Sequence, residues 1–159
     1  MKITLSHLGF VCALGSSVSE IYDNLKNAVY PKLKTRFLDG KNVPFGAAPI
    51  ESKKQMRCYD LIDCALVQIK ENIDEIKQKY PSNRLGIVLG SSNTGIHEAQ
   101  GQINKWIETG NCPKEFSFDE IELGTPAIYL KECVGFDGPA YTVSTACSSS
   151  TKAFSSARN

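Results

Sequence analysis

Three stretches of the chain have the apolar character of strands in a sheet. Residues 3–11 alternate apolar and polar side chains before becoming continuously apolar, and they predict a buried opening strand. Residues 85–89 form a short, wholly apolar run of the kind found in central strands of parallel sheets. Residues 140–145 are rich in the β-branched and aromatic side chains that favour strands. This third run leads directly to Cys147.

Between these runs, apolar side chains recur at the three- and four-residue spacing of amphipathic helices. Ser17 is placed to cap the first helix, and Pro31 is expected to end it. Gly110 is placed to cap a later helix, and Pro126 suits the first turn of another. The expected helices cover residues 18–29, 52–79, 96–109 and 125–133, with a further helix after Cys147.

Residues 31–51 show no regular period. Gly40, Pro44, Gly46 and Pro49 interrupt this stretch, so we expect it to be irregular. The remaining elements follow the order strand, helix, long helix, strand, helix, helix, strand, helix. Such an order predicts an α/β fold in which helices are layered against a sheet. The 159 residues suit about one domain, and no internal repeat occurs.

The composition is that of an ordinary globular protein, with 42% hydrophobic and 22% charged residues. Eighteen basic and seventeen acidic residues leave a formal charge of +1, which favours neither nucleic acid nor an anionic membrane as partner. The first residues lack the pattern of a signal peptide. No apolar run approaches the roughly 20 residues that cross a bilayer. We therefore predict a cytoplasmic protein that binds neither nucleic acid nor membrane.

The six cysteines, at positions 12, 58, 64, 112, 133 and 147, do not form a recognisable metal or disulfide pattern. Cys-x-x-Cys pairs are absent and the only histidines are His7 and His97, so a zinc site is not expected. A chain of this length does not need disulfides to form a core. We expect most of the cysteines to be small buried hydrophobes.

Cys147 differs from the other cysteines in its local sequence. It follows the predicted strand 140–145 and precedes Ser148, Ser149 and Ser150, which places it at a strand-to-helix junction. The unpaired N–H groups at a helix N-terminus stabilise a thiolate, the nucleophilic form of cysteine. Small neighbours leave room for a substrate carbonyl, and the N–H of Cys147 is a candidate oxyanion donor. Cys147 is the leading nucleophile candidate, and simple packing is the alternative.

Gly90 and Gly95 have the spacing of a phosphate-binding loop, between a predicted strand and a predicted helix. A phosphate loop continues with Lys and then Ser or Thr, whereas this chain has Ile96 and His97. We therefore expect the loop to pack beside an active site or a subunit interface rather than to bind a nucleotide.

The two histidines have different expected roles. His97 is the candidate base for Cys147 if the protein is a cysteine hydrolase. The residues around Cys147 match neither common cysteine-protease motif, so an exposed or interfacial helix turn is the favoured interpretation for His97. His7 lies inside the predicted opening strand and is expected to be a structural histidine.

Several segments together resemble one family. Residues 143–150, Val-Ser-Thr-Ala-Cys-Ser-Ser-Ser, resemble the active-site motif of β-ketoacyl-acyl-carrier-protein synthases, the condensing enzymes of fatty-acid and polyketide assembly. Residues 3–15 resemble that family's opening strand and glycine turn, and residues 85–96 are similar to its middle strand and loop. Gly138-Pro139-Ala140 also fits the segment before the nucleophile strand. The matching segments occur in the family's order along the chain.

The resemblance implies a thiolase-like layered α/β fold, of which this chain holds an incomplete N-terminal half. It implies that Cys147 accepts an acyl group from the phosphopantetheine thioester of an acyl carrier protein. The acyl-enzyme of the family then condenses with a malonyl-carrier thioester, which loses carbon dioxide. No separate cofactor is implied, because the carrier's phosphopantetheine holds the substrates. The family dimerises through the strand before the nucleophile, so a homodimer, or a heterodimer with a synthase, is expected.

The family's two catalytic histidines and its glycine-rich oxyanion segment match no position in this chain. We therefore expect residues 1–159 to be one N-terminal synthase domain, truncated shortly after the nucleophile and inactive in condensation by itself. The alternative is a non-catalytic chain that dimerises with a full-length synthase.

Overall fold

The computed structural model describes residues 4–158, which form two compact units. One unit comprises residues 4–53 and 60–72, and the other comprises residues 54–59 and 73–158. The helices α2, Arg57–Val67, and α3, Lys70–Lys79, contribute residues to both units.

Helix α1, Val18–Lys26, begins where the sequence predicts and ends earlier. The Ser17 hydroxyl accepts the N–H of Glu20 at 3.2 Å, which caps the first turn. Ile21, 3% exposed, is the residue of this helix that is buried. Ala28 adopts a left-handed conformation with φ of 52°, so the chain leaves the helix before it reaches Pro31.

A β-hairpin occupies the segment that was expected to be irregular. Strands β1, Leu33–Leu38, and β2, Lys41–Gly46, pair antiparallel, with Leu38 opposite Lys41. Asp39 and Gly40 connect them with φ values of 47° and 76°, the conformation of a two-residue type I′ turn. The prediction was wrong because Gly40 and Pro44 were taken as interruptions. Asp-Gly is in fact a preferred hairpin turn, and a two-stranded ribbon tolerates proline.

Residues 4–11 do not form the predicted opening strand, and residue 3 lies outside the described residues. A strand needs a neighbour that pairs with its backbone. The backbone of Phe10 instead bonds to a side chain: Gln68 Oε1 accepts the Phe10 N–H at 3.2 Å, and Gln68 Nε2 donates to its carbonyl at 3.0 Å. His7 is exposed and belongs to no strand, so its assignment as a structural strand histidine was wrong.

The long helix predicted over residues 52–79 is replaced by α2 and α3. Its start is delayed because the Asp60 carboxylate accepts the backbone N–H of Lys53 at 3.1 Å, which holds that residue outside the helix. Its middle is interrupted at Gln68, whose N–H bonds to the carbonyl three residues earlier and so tightens the turn.

The second unit contains a parallel strand pair. Strands β3, Ile87–Gly90, and β4, Ala140–Val143, are aligned from Ile87 opposite Ala140 to Gly90 opposite Val143. Both strands were predicted. The structure starts β3 two residues later and ends it one residue later than predicted, and it ends β4 two residues earlier. Helix α4, Ile96–Thr109, has the predicted bounds, and the left-handed Gly110 caps it with φ of 69°.

Helices α5, Thr125–Val134, and α6, Ser149–Ala157, pack on this strand pair. The interior of the unit is built from small or compact side chains, because α5 and α6 approach the strands closely. Its buried apolar residues include Ile87, Ala99, Pro126, Ala127, Val134 and Ala153. The packing fixes the carboxyl ends of β3 and β4 side by side.

Candidate functional site

Cys147 lies in a tight turn at the carboxyl end of β4. The strand ends at Val143, a single 3-10 turn covers Ala146–Ser148, and α6 begins at Ser149. This arrangement confirms the predicted strand-to-helix junction. The Cys147 side chain is exposed, so a thiol at this position is accessible to a ligand in solution.

The residue before Cys147 has an unusual backbone conformation. Ala146 has φ of 52°, in the left-handed region that residues with a Cβ adopt at a cost of about 1–2 kcal/mol. A sharp, strained turn of this kind exposes the nucleophile in other strand-to-helix elbows. The sequence indicated Ala146 as a small residue before the candidate nucleophile, but it did not predict the left-handed conformation of this residue.

Hydroxyl groups hold this turn closed. Ser149 Oγ accepts the N–H of Thr145 at 2.9 Å and donates to the carbonyl of Ala146 at 2.8 Å. Ser148 Oγ donates to the carbonyl of Thr145 at 2.9 Å. Ser149 is 3% exposed, so its side chain is shielded from water, and its two hydrogen bonds are partly buried. Ser148 and Ser149 therefore bond to the backbone of the turn.

The loop after β3 packs beside the same turn. A Cβ added to Gly90 would lie 2.8 Å from both the carbonyl carbon and the carbonyl oxygen of Ser149. The next residue, Ser91, donates its N–H to the Val143 carbonyl at 3.2 Å. Gly90 is thus required for the close approach of two backbones, which explains one glycine of the apparent phosphate loop.

The second glycine of that loop meets a buried acidic residue. Gly95 donates its N–H to the carbonyl of Glu120 at 2.8 Å, and a Cβ at position 95 would clash with that oxygen and with Met56. Glu120 is 3% exposed, and its carboxylate accepts a hydrogen bond from Gln55 Nε2. Both glycines are explained by packing.

An aromatic stack lies in the same unit. The rings of Tyr59 and Tyr129 are 3.9 Å apart at the centroids and inclined by 12°. Burial raises the pKa of the Tyr59 phenol above its ordinary value of 10.0, and the nearby Cys58, Asp119 and Glu132 raise it further. The phenol of Tyr59 therefore stays protonated to higher pH than a phenol in water.

The other candidate residues lie elsewhere. His97 is the second residue of α4 and is exposed, as the sequence predicted for a helix-turn position. All six cysteines are free thiols, but Cys112 and Cys133 are exposed like Cys147, and the other three are only half-buried. The expectation of mostly buried cysteines was therefore wrong, because three of the thiols are exposed and none is fully buried. Within residues 4–158, no three His, Cys, Asp or Glu side chains are grouped to hold a metal ion.

Comparisons with known proteins agree on one family. The sequence profile described as "Beta-ketoacyl synthase, N-terminal domain" matches residues 33–159. The chain is 24% identical to "3-oxoacyl-[acyl-carrier-protein] synthase I, chloroplastic" of Hordeum vulgare, over 99% of this chain and 38% of that relative.

A solved structure is also similar. It is described as "Ketosynthase (ApeO) in Complex with its Chain Length Factor (ApeC) from Xenorhabdus doucetiae". The likeness has a TM-score of 0.83 and 29% identity, over 95% of this chain and 41% of the chain it matches. The chain therefore spans about two-fifths of the length of these relatives.

The structural likeness confirms the predicted thiolase-like α/β fold, of which this chain carries a part. The matched region of the family profile includes β3, β4 and the turn that holds Cys147. The chain belongs to the β-ketoacyl synthase family, whose N-terminal domain it matches.

Proposed function

We propose that this chain is the N-terminal part of a β-ketoacyl synthase in which Cys147 accepts the acyl group. The observation that carries the proposal is the exposed Cys147 thiol in a strained turn between β4 and α6. A buried packing cysteine, which was the alternative interpretation, needs no strained turn and no access to solvent.

The acyl-transfer step has a simple chemical balance. The Cys147 thiolate attacks the thioester carbonyl of an acylated phosphopantetheine, and the phosphopantetheine thiolate leaves and takes up the proton that Cys147 has lost. The first N–H groups of a helix have no intrahelical acceptor and so favour anions at this end of α6. The N–H of Cys147 is proposed to donate to the oxyanion of the intermediate.

The proposed donor is an acyl carrier protein, since the barley relative is named as an acyl-carrier-protein synthase. No bound cofactor is needed for this half-reaction, because the substrate arrives on the carrier's own phosphopantetheine. We further propose that residues 1–159 alone do not condense the acyl group with malonyl-carrier protein. Release of carbon dioxide from malonyl-carrier protein by the 159-residue chain would contradict this part of the proposal.

Mass spectrometry tests the acylation directly. The purified chain is incubated with the hexanoyl thioester of pantetheine, and the added acyl mass is located by peptide mapping. Acylation is expected on the peptide that contains Cys147 and is expected to disappear in Cys147→Ser. Cys133→Ser is the matched control, because it removes another exposed thiol. Equal acylation of Cys112, Cys133 and Cys147 would show that the turn confers no special reactivity.

A second candidate function is a non-catalytic partner of a full-length synthase. The observation in its favour is that the similar solved structure is a ketosynthase in complex with its chain length factor. In this chain Tyr141 of β4, 40% exposed, belongs to the surface through which the pairing is proposed. Co-purification of a tagged chain with a full-length synthase would support this function. A strictly monomeric chain that binds no synthase would contradict it.

The place of action is proposed to be the cytoplasm. Among the residues that the structure describes, no helix has both the length and the apolar character to cross a membrane. The barley relative is named as chloroplastic, so a plastid is the alternative place of action.

A further inference from the structure

The Ser149 hydroxyl occupies a special place in the turn around Cys147. It accepts one hydrogen bond, from the Thr145 N–H, and donates one, to the Ala146 carbonyl. A serine hydroxyl has one hydrogen and two lone pairs, so both bonds can form at the same time. The hydroxyl thus joins Thr145, the residue before the 3-10 turn, to the first residue of that turn.

These two backbone groups lie where the strand ladder has ended and the helix ladder has only begun. Ser149 is 3% exposed, so water cannot readily replace its hydroxyl at this position. If the hydroxyl is removed, the Thr145 N–H loses this partner and carries part of the cost of desolvation, whereas the Ala146 carbonyl still accepts the Ser149 N–H. The Ser149 hydroxyl therefore stabilises the one arrangement in which Ala146 is left-handed.

The backbone of Ser149 is itself held in place. Gly90 lies so close that a Cβ there would be 2.8 Å from the Ser149 carbonyl carbon and oxygen. The end of β3 therefore restrains the backbone of Ser149. The Ser149 hydroxyl in turn restrains the backbone of Thr145 and Ala146. Cys147 lies in the sequence between the restrained residues Ala146 and Ser149.

We infer that Ser149 is a positioning residue, whose hydroxyl holds Ala146 in the left-handed conformation that presents the Cys147 thiol at the start of α6. This inference rests on the proposed acyl-acceptor role of Cys147. Ser149 itself does not touch the substrate. Its effect is expected on the rate of acylation at saturating thioester, and not on the concentration of thioester that gives half of that rate.

The test uses acylation of Cys147 by hexanoyl-pantetheine in the 159-residue chain. Ser149→Ala is expected to lower the saturating rate about tenfold, the size of effect that loss of roughly one hydrogen bond produces. Ser155→Ala is the matched control, because Ser155 lies exposed on the same helix. It is expected to leave the rate unchanged.

A second variant separates positioning from simple loss of stability. Glycine adopts the left-handed region without a steric penalty. Ala146→Gly should therefore make the hydrogen bonds of the Ser149 hydroxyl unnecessary for this conformation. The double variant Ala146→Gly/Ser149→Ala is therefore expected to regain the saturating rate. A wild-type rate in Ser149→Ala overturns the inference, and so does a folded double variant that stays slow. If Ser149→Ala does not fold, the double variant alone decides.

Failure of the proposed function is recognised separately. If the unaltered chain is not acylated at all, the acyl-acceptor role fails. The positioning role is then measured by alkylation of Cys147 with iodoacetamide, for which the same variants have the same expected order of rates. Equal alkylation rates in the unaltered chain and Ser149→Ala overturn the positioning role.

Discussion

Gly90 and Ser149 are in backbone contact: a Cβ at position 90 would come within 2.8 Å of the Ser149 carbonyl group. The contact joins the end of β3 to the first residue of α6 and thereby supports the turn that contains Cys147. Its consequences can be measured by adding a single methyl group.

Gly90→Ala is expected to destabilise the chain by about 1–3 kcal/mol, the usual cost of an added methyl in a tightly packed site. The obstruction is backbone, which cannot rotate away. Labelling of Cys147 by iodoacetamide should change as well, because the turn must move. Gly101→Ala is the control, since a Cβ there meets nothing within 4 Å and α4 should gain about 0.5–1 kcal/mol. Chemical denaturation measures both variants, and equal free energies of unfolding would refute the contact.

Ala146→Val is expected to lower the free energy of unfolding by roughly 1–2 kcal/mol, because a β-branched side chain tolerates positive φ poorly. The φ of 52° at Ala146 is the basis of this prediction. Ala157→Val, at the exposed end of α6, offers the same substitution in ordinary helical backbone. Urea unfolding of the two variants should separate them clearly, and matched losses would argue against a left-handed Ala146.

Gln68→Ala is expected to loosen the segment around Phe10 and the start of α1. The Gln68 amide oxygen accepts the N–H groups of Phe10 and Val18, each at 3.2 Å, and its nitrogen donates to the Ser16 carbonyl at 3.0 Å. Hydrogen exchange of the Phe10 and Val18 amides should accelerate, while Gln78→Ala, on an exposed position of α3, should leave them unchanged. Unaltered protection in Gln68→Ala would show that these bonds do not hold the segment.

Tyr59 should titrate at higher pH than a free phenol, because burial and the neighbouring Cys58, Asp119 and Glu132 disfavour its anion. A raised pKa in the folded state means that this group's stabilising contribution is complete below pH 10 and is lost as pH rises through the folded pKa. Ultraviolet titration should show a late-titrating tyrosine that Tyr59→Phe removes. If Tyr59→Phe instead removes a tyrosine that titrates near pH 10, the pKa of Tyr59 is not raised.

His97→Ala distinguishes the synthase from the cysteine-hydrolase alternative. If Cys147 is an acyl acceptor activated by its own turn, iodoacetamide labelling of Cys147 should be unchanged within about twofold, which is roughly 0.4 kcal/mol. If His97 is the base of a hydrolase, labelling should collapse. His7→Ala, which alters an exposed histidine of the other unit, is the control for a general effect of losing a histidine.

The sequence predicted best those elements that depend on local pattern. Helix α4 was predicted with its observed bounds because its apolar spacing is regular and Gly110 marks its end. The Cys147 junction was predicted because a β-branched run and a run of small hydroxyl residues meet there. The hairpin was missed at Asp39-Gly40, where one dipeptide can mark either an irregular loop or a tight turn.

Features that depend on distant parts of the chain could not be predicted from the sequence. An apolar run near Phe10 is compatible with a strand, but pairing depends on a neighbour that the local sequence does not specify. The contact between Gly90 and Ser149 depends in the same way on the parallel register of β3 and β4. The two hydrogen bonds of the Ser149 hydroxyl also depend on the conformation of the turn.

The parallel register of β3 and β4 has a consequence for how freely the chain can vary in length. Four residue pairs, from Ile87 with Ala140 to Gly90 with Val143, fix the turn that contains Cys147 relative to the loop after β3. The sequence between the strands includes an exposed loop stretch at residues 110–112, directly after the end of α4. Doubling the length of a flexible loop costs only about 0.6 kcal/mol of closure entropy. Insertions there should therefore leave the turn that contains Cys147 unchanged. A single residue added inside either strand would instead displace Cys147.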